Sequence, residues 1–394
     1  MAETTFERKI KEDKPVIALC YDFDKTLSPD DMQAQGYIQK VQKSGDDEVA
    51  EFWEESNGLA SANDMDQNLA YMYTMKKKAR GQMLFTKEKL AEYGSKVKLF
   101  PGVKGWFERI EQYGEEKGII VEHYIISSGL KEMIEGTDIA PNFKEIFATS
   151  FYYDEDGVAV WPAQVVNYTN KTQFLFRISK GVLDVNDQSV NEFFKPEEIR
   201  IPFRNMVYIG DSDTDIPCMK LVNSHGGYSI GVFNPKETDI KKAKKKVYKM
   251  MRDNRIGYFA SADYSEGSEL DEIVKLIIDK TVYNEKLYSK MYRYQKEAVS
   301  EAKPKKEQEK TDLINALESS GNFNNTHIII RKLSKYDNWK ADEVEDLLSI
   351  AYNNSQVRYI LRDPDIKNFY VKLMGTASKD SEMAAVIKEI INQK

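Results

Sequence analysis

Cysteine is almost missing from this 394-residue chain. Two thiols, Cys20 and Cys218, cannot build a disulfide framework, and they fit a reducing compartment in which both are buried side chains. Histidine is nearly as scarce: His123, His225 and His327 are scattered, form no pattern such as H-x-x-x-H, and give no support to a histidine-ligated metal. Long apolar runs are absent as well. The opening MAETTFERKIKEDKP is charged throughout, and the apolar stretch behind it is far shorter than the roughly 20 residues of a membrane span. With no targeting segment visible and no membrane segment, the expectation is a soluble, cytoplasmic protein. Nor is there an excess of basic charge. A formal net charge of -7 gives no general attraction to nucleic acid or membrane surfaces. The lysine-rich KKAKKKVYKMMR, residues 241–252, is therefore expected to be a solvated helix face and not a nucleic-acid patch.

What the chain does have is enough apolar content, 41% beside 31% charged, to bury a sizeable core in two or three units. From residue 16 to about 280, short apolar runs ending in polar residues or glycine alternate with helix-like segments: VIALCYDF, VEHYIISS followed by KEMIEG, and NMVYIG followed by TDIPCMKLVN. That alternation predicts an α/β fold, a doubly wound, Rossmann-like parallel sheet whose strand ends converge on one crevice. Further strands are expected at YSIGVF and IGYFAS, a helix at SELDEIVKLIID, and a hairpin turning at DEDG within residues 147–169.

The core is expected to comprise residues 1–30 and 100–284. Residues 31–99, longer than a simple crossover needs, read as an inserted helical cap with helices in DDEVAEFWEES, NDMDQNLAYMYTMKKKAR and TKEKLAEYGSKV. Its Trp53, Tyr71 and Tyr73 are expected to be packing residues. Residues 285–310 are a charged helical connector broken by Pro304, and residues 311–394 an all-helical C-terminal domain. There Val344, Leu347, Leu348 and Ala351 share one face, and Asp363 and Pro364 cap and open a helix carrying Ile366, Phe369, Tyr370 and Leu373.

One short stretch concentrates the chemistry. VIALCYDFDKTLSP, residues 16–29, is a strand-like run that stops in two aspartates, Asp22 and Asp24. Strand alternation would send both to one side, where like charges repel unless a cation lies near. Together with ISS at 126–128, Lys171, and GDSDTD at 210–215, DFDKT at 22–26 resembles the ordered motifs of the haloacid dehalogenase-like superfamily, most closely its phosphoserine phosphatase-like members. The resemblance covers roughly residues 15–280.

The resemblance implies a Mg²⁺-dependent phosphatase. Its metal ligands would be the Asp22 carboxylate, the Asp24 backbone carbonyl and Asp211, with Asp215 in support. Mg²⁺ suits such a set because it prefers hard oxygen ligands and needs only one or two carboxylates. Asp22 would attack phosphorus to form an aspartyl-phosphate, and Asp24 would act as acid and then base. Ser127, or its neighbour Ser128, and Lys171 would hold the phosphoryl oxygens, the lysine in an electrostatic part that leaves the fold independent of it. Lys180 is the rival lysine. Because a halide leaves without a proton, an acid at position 24 favours hydrolysis of a phosphate monoester, of which a small phosphorylated metabolite is the expected kind. Two other readings stand beside it: transfer of the phosphoryl group to another alcohol, and a regulatory protein whose C-terminal helical domain binds a macromolecular partner.

Overall fold

The computed structural model describes residues 14–42, 47–236, 240–378 and 381–392. Residues 1–13, which the sequence assigns to the core, and Asp46 of the first cap helix lie outside the described residues.

Strand β1 (Val16–Tyr21) is buried along its whole length and pairs in parallel with β2 (Ile120–Leu130) on one side and β5 (Met206–Gly210) on the other. A strand covered on both faces reads as a continuous apolar run, which is why VIALCY shows no alternation in its sequence. Alternation is present in space. Ile17, Leu19 and Tyr21 enter one core, while Val16, Ala18 and Cys20 enter the other, across the sheet.

Among the described residues the sheet has seven strands, with β3 (Phe143–Tyr153), β4 (Ala159–Gln164), β6 (Tyr228–Phe233) and β7 (Tyr258–Ser261) in the order β4-β3-β2-β1-β5-β6-β7. Of these seven, β4 runs antiparallel, as the second arm of the hairpin. The doubly wound core follows from the helices. Between β1 and β2 come α1 (Tyr37–Val41), α2 (Glu48–Ala62), α3 (Gln67–Ala79), α4 (Lys87–Gly94) and α5 (Val103–Glu116). After β2 come α6 (Lys131–Glu135), then α7 (Lys171–Lys180), α8 (Ile216–Ser224), α9 (Ile240–Arg252) and α10 (Glu269–Glu301). Trp106, Phe107 and Ile110 of α5 and Val274 and Ile278 of α10 cover one face. Phe174 and Ile178 of α7, Met219 of α8 and Val247 of α9 cover the other.

The helical insertion does not keep a core of its own. Met32, Tyr37, Phe52, Tyr71, Met72 and Leu90 belong to the same apolar cluster as Leu19 and Trp106. Two links to backbone carbonyls and amides tie the insertion to the hairpin as well: Ala159 N donates to Phe85 O at 2.9 Å, and Lys76 Nζ donates to Val160 O at 2.6 Å.

The chain divides into two compact units, with the break between Val282 and Tyr283, inside α10. The second unit is helical: α11 (Lys305–Glu318), α12 (Phe323–Leu333), α13 (Ala341–Asn353), α14 (Ser355–Tyr359), α15 (Pro364–Met374) and α16 (Glu382–Asn392). Val344, Leu347, Leu348, Ala351, Ile366, Phe369, Tyr370 and Leu373 are buried in its core. Asp363 takes the N-cap position and Pro364 opens α15, as expected, while the Asp363 carboxylate makes no cap bond and lies 3.2 Å from His327 Nε2. No helix among the described residues is long and apolar enough to cross a membrane.

Candidate active site

Two strand ends build the site. Past Tyr21 the backbone stays in line, because Asp22 N donates to Ile209 O at 3.0 Å, and this sets Asp22 beside Asp211, the residue that follows β5. One carboxylate oxygen from each of Asp22, Asp211 and Asp215 lies within 4.8 Å of the others. Lys171, the first residue of α7, is fully buried and enters from the side, with Nζ 2.8 Å from Asp215 Oδ1 and 3.1 Å from Asp22 Oδ1. Asp215 is the most tightly held of the three. Its Oδ1 also accepts from Tyr208 Oη at 3.0 Å, and its Oδ2 accepts from Ser212 N and Oγ, both at 3.1 Å. Those bonds commit Asp215 to orienting Lys171 and the turn after Asp211.

Glycine at 210 is what allows this approach. A Cβ there would lie 2.6 Å from Asp215 Oδ2 and 2.7 Å from its Cγ, inside contact distance. We expect Gly210→Ala to displace Asp215 and cost about 1–3 kcal/mol of stability, the usual range for overpacking. A denaturant midpoint equal to that of the parent chain would show that Asp215 can move aside freely.

Asp24 lies close enough to Asp22 for the charge of one to act on the other, and Lys25 behind it turns the chain with a left-handed φ of 59°. The Asp24 Oδ1 accepts from Met32 N at 2.8 Å, and a Cβ at Gly129 would come within 2.9 Å of its Oδ2. The two carboxylates are thus neighbours with different partners. Ser127, near the end of β2, is buried, and its Oγ accepts from Gly129 N at 3.1 Å, which leaves the hydroxyl proton free to donate. Ser128 is half-buried, and its carbonyl accepts from Tyr71 Oη of α3 at 2.8 Å. Tyr71 also packs edge-on against Trp53, whereas Tyr73 is 53% exposed, so of the three cap aromatics one reaches the site, one packs and one faces solvent. Lys180, the rival lysine, donates to the carbonyls of Val190 at 2.7 Å and Glu192 at 2.6 Å and stabilises the loop after α7.

Burial raises the pKa of Asp22 above the usual carboxylate range; Lys171 pulls it back and Asp215 pushes it up again. Asp24 is raised by burial, then by Asp31 and Asp22. Asp211 is pushed up to about 7 by burial, against the pull of Lys246. Burial alone would discharge Lys171, but Asp215 and Asp22 outweigh it and keep the ammonium charged. Asp22 and Asp215 therefore share one buried ammonium, Asp211 has only the long contact with Lys246, and the cluster is short of positive charge. Its donors are all carboxylate oxygens, the set that a hard divalent cation takes.

Lys246 stays half-exposed on α9, as expected, and adds a contact that the sequence does not signal. The expected solvated face of α9 does carry lysines, but Lys246 reaches back to the site, with Nζ 3.4 Å from Asp211 Oδ2. Tyr208 and Gly129 leave no signal in the sequence, and Tyr71 adds a hydrogen bond at the site to the packing expected of it. A helical apolar period marks which face is buried and gives no sign of which exposed side chain reaches a neighbouring strand end.

An uncharacterized protein of Borreliella burgdorferi is 27% identical to this chain over 289 residues, covering 66% of this chain and 96% of its own. Among solved structures, a HAD family hydrolase from Salmonella enterica serovar Typhi shares 16% identity at a TM-score of 0.42, over 68% of this chain and 74% of that one. A probable phosphoserine phosphatase from Vibrio cholerae shares 12% at a TM-score of 0.42, over 70% and 69%. The model of the haloacid dehalogenase-like hydrolases matches residues 19–220, a stretch that runs from β1 through Asp215 into α8. With half of its length matched in this way, the chain belongs to the haloacid dehalogenase-like hydrolase family.

Proposed function

We propose that the chain is a Mg²⁺-dependent phosphatase that hydrolyses a phosphate monoester of a small metabolite through an aspartyl-phosphate on Asp22. The observation that carries this reading is the buried Lys171 between Asp22 and Asp215, with Asp211 completing a cluster of carboxylates and Asp24 beside it on separate partners. The Asp22 and Asp211 carboxylates and the Asp24 carbonyl would hold the ion, and Asp215 would support them. Bound there, Mg²⁺ supplies charge neutralisation between the ester and Asp22 and polarises a phosphoryl oxygen.

The protein's own groups do the rest. An Asp22 oxygen attacks phosphorus, the ester P–O bond breaks, and Asp24 gives its proton to the departing alkoxide. Asp24 then takes a proton from the attacking water as the bond between phosphorus and the Asp22 oxygen breaks. Burial favours the protonated form of Asp24, as a waiting acid requires. Ser127 retains a hydroxyl proton to donate, with Ser128 beside it, and one of the three Lys171 donors is uncommitted by its two carboxylate contacts; these groups hold the phosphoryl oxygens. Residues 31–99 serve as the cap, and Tyr71 ties it to the phosphate-binding strand. The buried thiols fit a cytoplasmic setting.

A panel of phosphorylated metabolites, each tested with and without Mg²⁺ on the full chain, checks the reading. Phosphate release is expected from one compound class and is expected to vanish with chelator. Undiminished release after metal removal, confirmed by elemental analysis, would reject the metal assignment.

A further inference from the structure

Lys246 lies beyond the matched residues 19–220 and outside the motifs that carry the family resemblance. Val247 and Met250 seat α9 in the core on the α7–α8 side of the sheet, and Lys246 extends from this anchored helix to the carboxyl end of β5. Its contact with Asp211 is long, 3.4 Å, and its side chain is 44% exposed, so as an ion pair it is weak. The other exposed ammonium that Asp211 attracts is Lys25, but that one is held by Asp31 at 2.8 Å. Lys25 is thus committed to Asp31, while Lys246, on the Asp211 side, is an ammonium with no other acid partner among the described residues.

This inference rests on the function proposed above. A divalent cation on Asp211 would satisfy that carboxylate and repel Lys246, leaving a solvated positive charge a short reach from the transferred phosphoryl group. We propose that Lys246 determines specificity: the substrate is a phosphate monoester with a second anionic group, and the Lys246 ammonium binds that group on the Asp211 side of the crevice. A second phosphate and a carboxylate share the required chemistry. A substrate whose remainder is neutral leaves Lys246 without a role.

Two matched pairs of esters distinguish the sources. Glucose 6-phosphate against glucose 1,6-bisphosphate adds a phosphate, and glycerol 3-phosphate against 3-phosphoglycerate adds a carboxylate. The readout is the ratio of kcat/KM within each pair for the parent, Lys246→Ala and Lys246→Arg, so that any general effect of the substitution on the Asp211 site divides out. The parent is expected to prefer the doubly anionic member of at least one pair. Lys246→Ala is expected to lower that preference roughly 5- to 20-fold, mainly through KM, as suits one charged contact at a half-exposed position, and Lys246→Arg to keep most of it. No preference in the parent, or the same preference in Lys246→Ala, overturns the inference. If no ester releases phosphate, the proposed function fails instead. Calorimetric binding of the same pairs to Mg²⁺-loaded parent and Lys246→Ala then decides, an equal ratio of affinities in the two proteins overturning the role of Lys246.

Discussion

Asp22→Asn is expected to abolish both turnover and phosphoenzyme formation, because the amide is no nucleophile, is a poorer ligand for a hard cation, and leaves Lys171 with one acidic partner instead of two. Asp24→Asn should behave differently for reasons visible in the geometry. An amide oxygen at position 24 can still accept from Met32 N, so the loop and the backbone carbonyl stay in place while proton transfer is lost. On an alkyl phosphate, turnover should fall by roughly 10² to 10⁴, the usual contribution of a general acid or base. An activated aryl phosphate needs little protonation of its leaving group. With that substrate the first step should recover part of the loss, and the phosphoenzyme should accumulate. Acid quench followed by mass spectrometry reads phosphate on Asp22 directly. Equal losses on both substrate types would count against Asp24 as the acid, and a phosphorylated Asp22→Asn chain would overturn the nucleophile.

Each residue is legible in the sequence only as far as its role leaves a local signal there. Strand β1 is legible because a strand buried on both faces is a run of apolar residues with an abrupt polar end, and Asp22 is that end. Asp211 is legible for the same reason after β5, and the DEDG turn because Asp154 and Gly157, with a left-handed φ of 73° at the glycine, close a hairpin between aromatic strands. The helix α1 leaves no such trace. Five residues complete too little of the helical period to be told from a turn. Alternation brings Asp24 near Asp22 but leaves no sign of its partners: the chain turns at the left-handed Lys25, and Asp24 accepts from Met32 N while Asp22 pairs with Lys171. The long insertion reads as a separate cap because its helices are self-consistent in sequence. Only packing reveals that Tyr37, Met72 and Leu90 complete the core begun by β1. Lys246 and Tyr71 carry the same lesson for function, since each reaches the site from an amphipathic helix whose pattern specifies its buried side alone.

Lys171 shows the cost of reading a charge without its burial. As an electrostatic contact it should be removable without harm to the fold, yet the side chain is fully buried between Asp22 and Asp215. Lys171→Ala would leave two buried carboxylates facing each other without their cation, and breaking a buried pair in this way costs about 3–5 kcal/mol. We therefore expect a large drop in the urea midpoint of the first unit together with loss of phosphatase turnover. The two effects should respond differently to metal. Mg²⁺ would replace part of the missing positive charge, and a ligand at 100 times its dissociation constant stabilises the folded state by about 2.7 kcal/mol, so saturating Mg²⁺ should raise the midpoint of Lys171→Ala while turnover stays low. Lys180→Ala supplies the control. It removes bonds to two loop carbonyls and should cost about 1 kcal/mol with turnover largely kept. A Lys171→Ala chain as stable as the parent without metal would mean that Asp22, already raised by burial, takes up a proton in place of the lysine. Turnover lost in Lys180→Ala but kept in Lys171→Ala would move the phosphate-binding role to the other lysine.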